Sequence, residues 1–218
     1  MLLHELRSEV VRYCRLMSST GLVKLTSGNI SVKDGESGLI AVSPTSLDYD
    51  VMTPADVVVV DGDGHVVEGA RRPTSELPLH LAMYAARPDV AAVVHSHSAY
   101  ATALGLTGEE LPMVIINQAG VGGSVPVAPY RTPGTPDLGR IAVETMGRRK
   151  SVILQNHGVV SCGATLGEAF SLATYVEEAA HIYLTARMAG GQIHTLTQEE
   201  AEHILDVYHA AVSGRGSR

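Results

Sequence analysis

The apolar positions of this chain recur with two different spacings, and the change from one spacing to the other predicts its elements. In some segments, apolar residues return every three or four positions, as Leu6, Val10 and Cys14 do near the start of the chain. This spacing places them on one face of an α-helix. The helices predicted in this way cover about residues 2–20, 73–87, 98–106, 135–149, 165–190 and 197–211.

Other apolar residues occur in short β-branched runs bounded by Gly, Pro, Asn or Asp, which is typical of strands. One predicted strand follows the turn at 27–31. The others cover about residues 37–44, 57–69 (as a hairpin around residues 61–64), 89–95, 113–117, 125–130, and 151–155 with 158–163 as a second hairpin. Strands and helices do not alternate as regular βαβ units. The pattern therefore favours a three-layer α/β/α or an α+β arrangement around a mixed sheet.

Composition and charge exclude several functions. The 218 residues are 45% hydrophobic and 18% charged, which is typical of a compact globular protein, and the low charged fraction suggests surface buried in an oligomer. The net charge is −7, and the longest run of Lys and Arg is residues 148–150. Binding to nucleic acid or to an anionic membrane is therefore not expected. We expect a single domain over residues 1–218, with a C-terminal helix at about 197–211 and a flexible tail.

The cysteines and the N-terminal segment predict the compartment. Cys14 and Cys162 are far apart and have no CxxC spacing, so we expect reduced thiols. Residues 1–17 carry charges every few positions and lack the apolar core of a signal peptide. No apolar stretch is long enough to cross a membrane. These features predict a cytoplasmic protein.

Two histidines two residues apart, His95 and His97, end an apolar run and predict a metal site. Residues i and i+2 of a strand point the same way, so both imidazoles can reach one ion. The alternative is a pair of strand-end histidines bonded to the backbone. His157 follows a second apolar run and favours the metal, because three histidines with an open fourth position are typical of catalytic zinc. Divalent manganese or cobalt could replace zinc. The other histidines are predicted to lie on the surface or in helix packing.

Glu76 and three polar turns complete the candidate chemistry. Glu76 stands at a predicted helix start, where the helix dipole favours a carboxylate. Beside a metal it could instead be a general base, or occupy the vacant ligand position when substrate is absent. The turns offer hydroxyls, amides and free backbone N–H groups, so together they could cradle a phosphate without lysine. Singly, each is an ordinary turn. They are Ser27-Gly28-Asn29, Ser43-Pro44-Thr45-Ser46 and Thr74-Ser75.

Taken together, these motifs resemble the class II aldolase/adducin family, and most of all its bacterial L-fuculose-phosphate aldolase branch. The resemblance covers about residues 5–190 and rests on the motifs as an ordered set. In order they are Ser27-Gly28-Asn29-Ile30-Ser31, Ser43-Pro44-Thr45, Pro73-Thr74-Ser75-Glu76, His95-Ser96-His97, Ala128-Pro129-Tyr130 through Pro133-Gly134-Thr135, and Asn156-His157-Gly158.

The resemblance implies a fold, an assembly and a reaction. The fold is a single three-layer α/β/α domain around a central mixed, mostly antiparallel sheet, assembled as a cyclic homotetramer with active sites near subunit interfaces. The reaction is the reversible cleavage of a small ketose 1-phosphate to dihydroxyacetone phosphate and an aldehyde, through a metal-stabilised enediolate. The implied roles are Zn²⁺ on His95, His97 and His157, acid/base chemistry by Glu76, and phosphate binding by Gly28, Asn29, Thr45, Ser46, Thr74 and Ser75.

The sequence departs from the family pattern on the side of the aldehyde. Residues 111–117 contain no tyrosine, Pro133 stands where an aromatic residue is expected, and Ala211 stands where a second tyrosine would follow Tyr208. Ser46 stands where a glycine is common. Other reactions on the same scaffold therefore stay open: sugar-phosphate 4-epimerisation, decarboxylation of a 3-oxo acid phosphate, and dehydration of a methylthioribulose phosphate. An adducin-like binding module would have no need of a metal cluster.

Overall fold

An eight-stranded sheet crosses the middle of residues 1–213, the part of the chain that the computed structural model describes, without the side chains of 209 and 211–213. The predicted tail at 214–218 lies outside this part. The strands are β1 (Asn29–Lys33), β2 (Ile40–Val42), β3 (Val58–Val60), β4 (Val66–Glu68), β5 (Ala92–Ser96), β6 (Val127–Ala128), β7 (Ser151–Leu154) and β8 (Gly158–Gly163). Their order is β4-β3-β2-β1-β5-β8-β7-β6.

The sheet is mixed but mostly antiparallel, since β6 and β7 run parallel and the other neighbours within the described residues run antiparallel. The helices are α1 (His4–Ser19), α2 (Leu77–Ala86), α3 (Ala99–Gly105), α4 (Pro136–Met146), α5 (Leu166–Ala189) and α6 (Gln198–Ser213). All six helices predicted from the apolar spacing are present, with ends moved by a few residues, and so are the two predicted hairpins.

Helices cover both faces of the sheet because successive strand residues point to opposite sides. In β5, Val93 packs in the cluster that contains Leu79 and Met83 of α2, while Val94 packs in the cluster that contains Val10 of α1. Helices α2 and α4 therefore form one outer layer, and α1, α3 and α5 form the other. Burying a side chain such as Leu79 contributes about 1.5–3 kcal/mol. The predicted three-layer fold with a mostly antiparallel sheet is confirmed.

The predicted strands at 113–117 and 125–130 are wrong in part. Residues Ile116–Val121 form a 3₁₀ helix, and only Val127–Ala128 is a strand in the second segment. The buried Gln118 side chain accepts a hydrogen bond from the Val114 N–H and donates one to the Pro112 carbonyl. These bonds replace a strand partner, so an apolar run that looks like a strand folds as a loop. Prolines 126 and 129 shorten β6 because proline cannot donate to a sheet ladder.

Candidate active site

His95 and His97 lie at the C-terminal end of the central strand β5. They are on the face of the sheet that α2 covers. His95 is fully buried, and its Nδ1 lies 3.0 Å from the Val159 carbonyl oxygen. A carbonyl only accepts, so His95 Nδ1 donates this hydrogen bond. The tautomer is thereby fixed, and the lone pair of Nε2 faces away from the backbone, towards His97.

His157 enters the same place from the turn between β7 and β8. Asn156, just before it, has a left-handed backbone with φ of 59°. Gly158, just after it, packs so closely on β5 that an added Cβ would lie 2.2 Å from the Ser96 carbonyl oxygen. The turn therefore needs glycine at this position. The ring centroids of the three histidines form a triangle with sides of 4.7, 4.9 and 5.0 Å.

Glu76, the residue that precedes α2, places its carboxylate against this triangle. Its Oε2 lies 3.0 Å from His95 Nε2, and its Oε1 lies 3.3 Å from His157 Nε2. Asn29 on β1 donates a hydrogen bond from Nδ2 to Oε2 at 2.9 Å. One ligand atom from each of Glu76, His95, His97 and His157 lies within 4.8 Å of the others. The four residues that the sequence singled out thus form one cluster.

Burial and mutual proximity set the charges of this cluster. Burial acts to raise the pKa of Glu76, but the adjacent His95 and His157 imidazoles and the Asn29 amide outweigh it and hold that pKa well below its usual range. Burial lowers the pKa of His97 to about 4 and that of His157 to about 4, with His95 adding to the effect. At neutral pH the carboxylate is ionised and these two imidazoles are neutral, the forms that a metal requires.

Unpaired acceptors show that the cluster fits a cation. His97 Nε2 lies 3.1 Å from His95 Nε2, whose lone pair also faces the Glu76 carboxylate. Glu76 Oε1 is buried and has no hydrogen-bond partner among the described residues. These converging nitrogens and the unpartnered carboxylate oxygen can share one cation. Imidazole nitrogens with a carboxylate oxygen match the donor preference of zinc.

The six residues predicted to bind phosphate all line one cavity of about 340 Å³ beside this cluster. Glu76, His97 and His157 form part of its wall, and none of the described lining residues is a lysine or an arginine. The backbone N–H groups of Gly28 and Ser46 make no hydrogen bond within the described residues. The cavity therefore offers neutral donors to an anion. The six residues are Gly28, Asn29, Thr45, Ser46, Thr74 and Ser75.

Two residues of this cavity have left-handed backbones. Gly28 has φ of 78°, and an added Cβ would lie 2.7 Å from the His95 carbonyl oxygen and 2.6 Å from Val23. The buried Tyr49 hydroxyl donates a 2.6 Å hydrogen bond to the Gly28 carbonyl and holds this turn in place. Ser46 has φ of 55°, which agrees with the glycine expected at its position.

The sequence missed the residues behind the carboxylate. His80, predicted to lie on the surface or in helix packing, is fully buried and hydrogen-bonded to Asn29 and Ser31. Its signal is the spacing of Glu76, His80 and Tyr84, which places them on one face of α2. Among the other histidines, those at positions 4, 65, 181, 194 and 203 are exposed, and the side chain at position 209 lies outside the described part.

Of the residues that the resemblance places near the aldehyde, only one among the described residues lines the cavity. Arg131 forms an ion pair with Asp137 at 2.6 Å, with both side chains partly exposed. Tyr130 and Tyr208 are exposed and do not line the cavity. Pro133, which stands where an aromatic residue was expected, does line it.

Comparison with known proteins identifies the family. The family model for the class II aldolase and adducin N-terminal domain matches residues 8–184. The chain therefore belongs to this family, as its motifs predict. It is 42% identical to 5-deoxy-D-ribulose 1-phosphate aldolase of Bacillus thuringiensis serovar kurstaki, over 94% of this chain and 95% of that protein. It is 35% identical to L-fuculose phosphate aldolase of Escherichia coli K12, over 94% of each chain.

A solved structure of L-fuculose 1-phosphate aldolase has the same fold. It matches with a TM-score of 0.90 and 37% identity, over 94% of this chain and 96% of that one. The expectation of an enzyme of the lyase class is confirmed by the family and by these relatives. The helices among the described residues include none that is both long enough and apolar enough to span a membrane.

Proposed function

We propose that this protein is a zinc-dependent class II aldolase that reversibly cleaves a small ketose 1-phosphate, similar to L-fuculose 1-phosphate, into dihydroxyacetone phosphate and an aldehyde. The observation that carries the proposal is the shared cavity. Neutral donors suited to a phosphate line it together with Glu76 and two of the three clustered histidines. An ion and an acid/base group beside a bound phosphate are what cleavage of a ketose phosphate requires.

The three histidines would hold the metal in this proposal. His95 is oriented by its bond to the Val159 carbonyl, and His97 and His157 are kept neutral by burial. Zinc suits this set, and manganese or cobalt could replace it. When bound, the metal supplies a Lewis acid beside the substrate carbonyl and thereby favours the carbanion that cleavage leaves.

Glu76 would move the proton at substrate C3. Its Oε2 accepts a hydrogen bond from Asn29, whereas its Oε1 has no hydrogen-bond partner among the described residues. That oxygen is therefore available to accept a proton from the substrate and to return it. The ionised state at neutral pH, set by the adjacent imidazoles, suits a general base.

The polar turns would hold the phosphate. The hydroxyls of Thr45, Ser46 and Ser75 are on residues with exposed surface, and the N–H groups of Gly28 and Ser46 are unpaired within the described chain. Binding energy from this remote group fixes the reacting carbons against Glu76. A phosphate cradled by neutral groups is also released more readily than one held by several lysines, which suits a reversible reaction.

The names of the relatives narrow the aldehyde. Removing dihydroxyacetone phosphate from 5-deoxyribulose 1-phosphate leaves acetaldehyde, and removing it from L-fuculose 1-phosphate leaves lactaldehyde. Both aldehydes are small and end in a methyl group. We propose an aldehyde of this kind for the present protein, and Pro133 at the cavity wall offers an apolar contact for it.

The test is to incubate the metal-loaded protein with dihydroxyacetone phosphate and each of acetaldehyde, lactaldehyde and glycolaldehyde. We expect a new ketose 1-phosphate from the first two, detected by mass spectrometry, with glycolaldehyde as the polar comparison. Deuterium exchange at C3 without any new C–C bond would reject the aldolase and point to one of the other reactions of the scaffold. Absence of both product and exchange would reject the whole proposal.

We further propose a homo-oligomer, of the tetrameric kind that the family resemblance implies, in the cytoplasm. Apolar side chains stand exposed on the 3₁₀ helix and on α5 and α6, both of which contact it, including Ile116, Ile182, Met188 and Val207. Burial of such side chains between subunits would remove them from water. Light scattering should give about four times the chain mass of 23.0 kDa. A monomer at micromolar concentration would contradict the proposal.

A further inference from the structure

A line of buried polar side chains runs from Glu76 into the layer between β1 and α2. Asn29 donates from Nδ2 to Glu76 at 2.9 Å, and Asn29 Oδ1 lies 2.5 Å from His80 Nε2. His80 Nδ1 lies 2.6 Å from the Ser31 hydroxyl, which lies 2.7 Å from the Tyr84 hydroxyl. All five residues are at most 6% exposed. The line therefore continues from the catalytic cluster into the core.

Two elements with matched periodicities build this line. Glu76, His80 and Tyr84 are four residues apart, so they stack along one face of α2. Asn29 and Ser31 are two residues apart on β1, so both point to the same side of the sheet. Ile30 and Val32 of the same strand pack in the opposite layer. Polar groups placed so regularly in a buried layer require an explanation.

The chemistry of the groups fixes the direction of every hydrogen bond. An ionised Glu76 only accepts, so Asn29 must present its amide NH₂ to it and its carbonyl oxygen to His80. His80 Nε2 must then donate, and because a neutral imidazole has one N–H, Nδ1 must accept from the Ser31 hydroxyl. The Ser31 hydroxyl donates its only hydrogen to His80, so it accepts a hydrogen bond from the Tyr84 hydroxyl.

Burial keeps the His80 imidazole neutral, with a single N–H, as the hydrogen bonds to Asn29 and Ser31 require. Desolvation, with a further effect of the nearby His95, lowers the pKa of His80 to about 3, so the ring is neutral under ordinary conditions. A buried network in which every member is satisfied specifies one arrangement, whereas a broken one leaves costly unpaired groups. Reversal of the Asn29 amide would place its oxygen against the Glu76 carboxylate, and two acceptors at that distance repel.

We propose that Ser31, His80 and Tyr84 are positioning residues that lock the Asn29 amide in one orientation and thereby hold Glu76 for proton transfer at substrate C3. This inference rests on the proposed function, in which Glu76 is the acid/base group. None of the three touches the cavity, so their effect reaches the substrate only through Asn29 and Glu76. A misplacement of about 1 Å at a reacting group can cost on the order of 100-fold in rate.

Two substitutions of His80 separate the hydrogen bond from the volume of the ring. In His80→Gln, the side-chain amide nitrogen can take the place of Nε2 and still donate to Asn29. In His80→Asn, the shorter amide reaches only the place of Nδ1, so the Asn29 oxygen loses its donor. The measurements are deuterium exchange at C3 of dihydroxyacetone phosphate, its dissociation constant, bound metal per chain and the melting temperature.

We expect His80→Asn to slow the exchange roughly 10- to 100-fold, as expected for a displaced acid/base group. Its metal content should be unchanged, because the three histidines remain, and its affinity for dihydroxyacetone phosphate should fall less than its exchange rate, because Asn29 is one of the six predicted phosphate-binding residues that line the cavity. His80→Gln should recover the exchange rate to within about threefold of the parent. Equal losses in the two variants would show that only packing matters and would overturn the proposal.

A second pair of variants controls for the loss of a buried serine hydroxyl. Ser151 and Ser161 form a buried hydroxyl pair at 2.8 Å on β7 and β8, away from the line. Ser31→Ala and Ser161→Ala should lower the melting temperature by similar amounts, but only Ser31→Ala should slow the exchange, by about 3- to 10-fold. Equal exchange rates in both would contradict the positioning role, even if the His80 variants fail to fold.

Comparison with Glu76→Gln separates the acid/base role of Glu76 from the positioning role of Ser31, His80 and Tyr84. If Glu76→Gln abolishes the exchange while His80→Asn and Ser31→Ala keep it, the acid/base role stands and the positioning role is wrong. If Glu76→Gln itself keeps the exchange, the proposed function of Glu76 fails first, and the line of hydrogen bonds has no catalytic group to orient.

Discussion

At the scale of single residues, the site works through protonation states that burial and neighbours impose. The carboxylate of Glu76 stays ionised because imidazoles and an amide face it, and His97 and His157 stay neutral because they are buried beside His95. Each state is the one needed for its proposed role, a general base in the first case and metal ligands in the others. These roles can be tested one side chain at a time.

Glu76→Gln should separate metal binding from proton transfer. The amide has nearly the same size, and the three histidines remain, so the metal content should not change. The exchange of deuterium at C3 of dihydroxyacetone phosphate should fall by about 100-fold or more, because the amide cannot take the proton. Glu168→Gln, which removes a carboxylate paired with Lys150 away from the site, is the control and should keep the parent rate. An undiminished rate in Glu76→Gln would remove this residue from the acid/base role.

At the scale of elements, the first helix is tied to the edge of the sheet by a buried charge. Arg7 of α1 is 1% exposed, and its guanidinium lies 2.7 Å from the carboxylate of Glu68 on β4. The same carboxylate accepts a hydrogen bond from the Leu2 N–H. Because the guanidinium cannot lose its charge, removal of its partner would leave a buried cation without a counter-charge.

Glu68→Gln should therefore destabilise the fold by about 1–3 kcal/mol, less than for a fully buried pair because Glu68 is partly exposed. Urea unfolding monitored by circular dichroism measures the change. Glu144→Gln removes a carboxylate from the exposed pair with Arg140 and is the matched control, for which no measurable change is expected. Equal stability of both variants would show that the Arg7 pair does not anchor α1.

The sequence predicts the helices and hairpins of this fold because their periodicities are local. It fails between residues 113 and 130, where the buried Gln118 side chain takes the backbone bonds that a neighbouring strand would have made. Tertiary packing decides which partner these backbone groups take, and the spacing of apolar residues does not predict that packing.

The candidate site likewise contains residues that the sequence predicts and a contact that it does not. The histidines, Glu76 and the polar turns can be predicted because each stands at the end of a local element. The bond between His80 and Asn29 cannot, because it depends on how α2 is placed across β1. The spacing of Glu76, His80 and Tyr84 shows that these residues share a face, but not that polar groups of β1 lie opposite.

At the scale of the whole molecule, one buried and two partly buried histidines make the stability depend on pH. The pKa of His80 is lowered to about 3, and those of His97 and His157 to about 4, mainly by burial. In the unfolded chain these groups return to an ordinary pKa of about 6.5. Below that pH the unfolded state binds protons that the folded state does not, so stability falls as the pH falls. The lowered pKa of Glu76 adds to the loss only below its ordinary range of about 4.5.

The chelator-treated protein should therefore lose stability as the pH is lowered from about 6.5 to about 4. Each buried histidine contributes a slope of at most about 1.4 kcal/mol per pH unit. Urea unfolding at a series of pH values measures the slope, which His80→Gln should reduce and His203→Gln, at an exposed position, should leave unchanged. A stability that is flat or rises towards pH 4 would contradict these protonation states.

The same unfolding transitions test the single-domain organisation, which stays a prediction. A single domain requires one cooperative unfolding step.

The central claim is that one divalent ion on His95, His97 and His157 makes this chain an aldolase. The measurement that tests it most directly is a titration of chelator-treated protein with Zn²⁺, in which bound metal and formation of ketose 1-phosphate from dihydroxyacetone phosphate and acetaldehyde are followed together. We expect activity to rise in proportion to bound metal and to level off at about one ion per chain. Full activity in the metal-free protein, or bound metal with no product, would contradict the account.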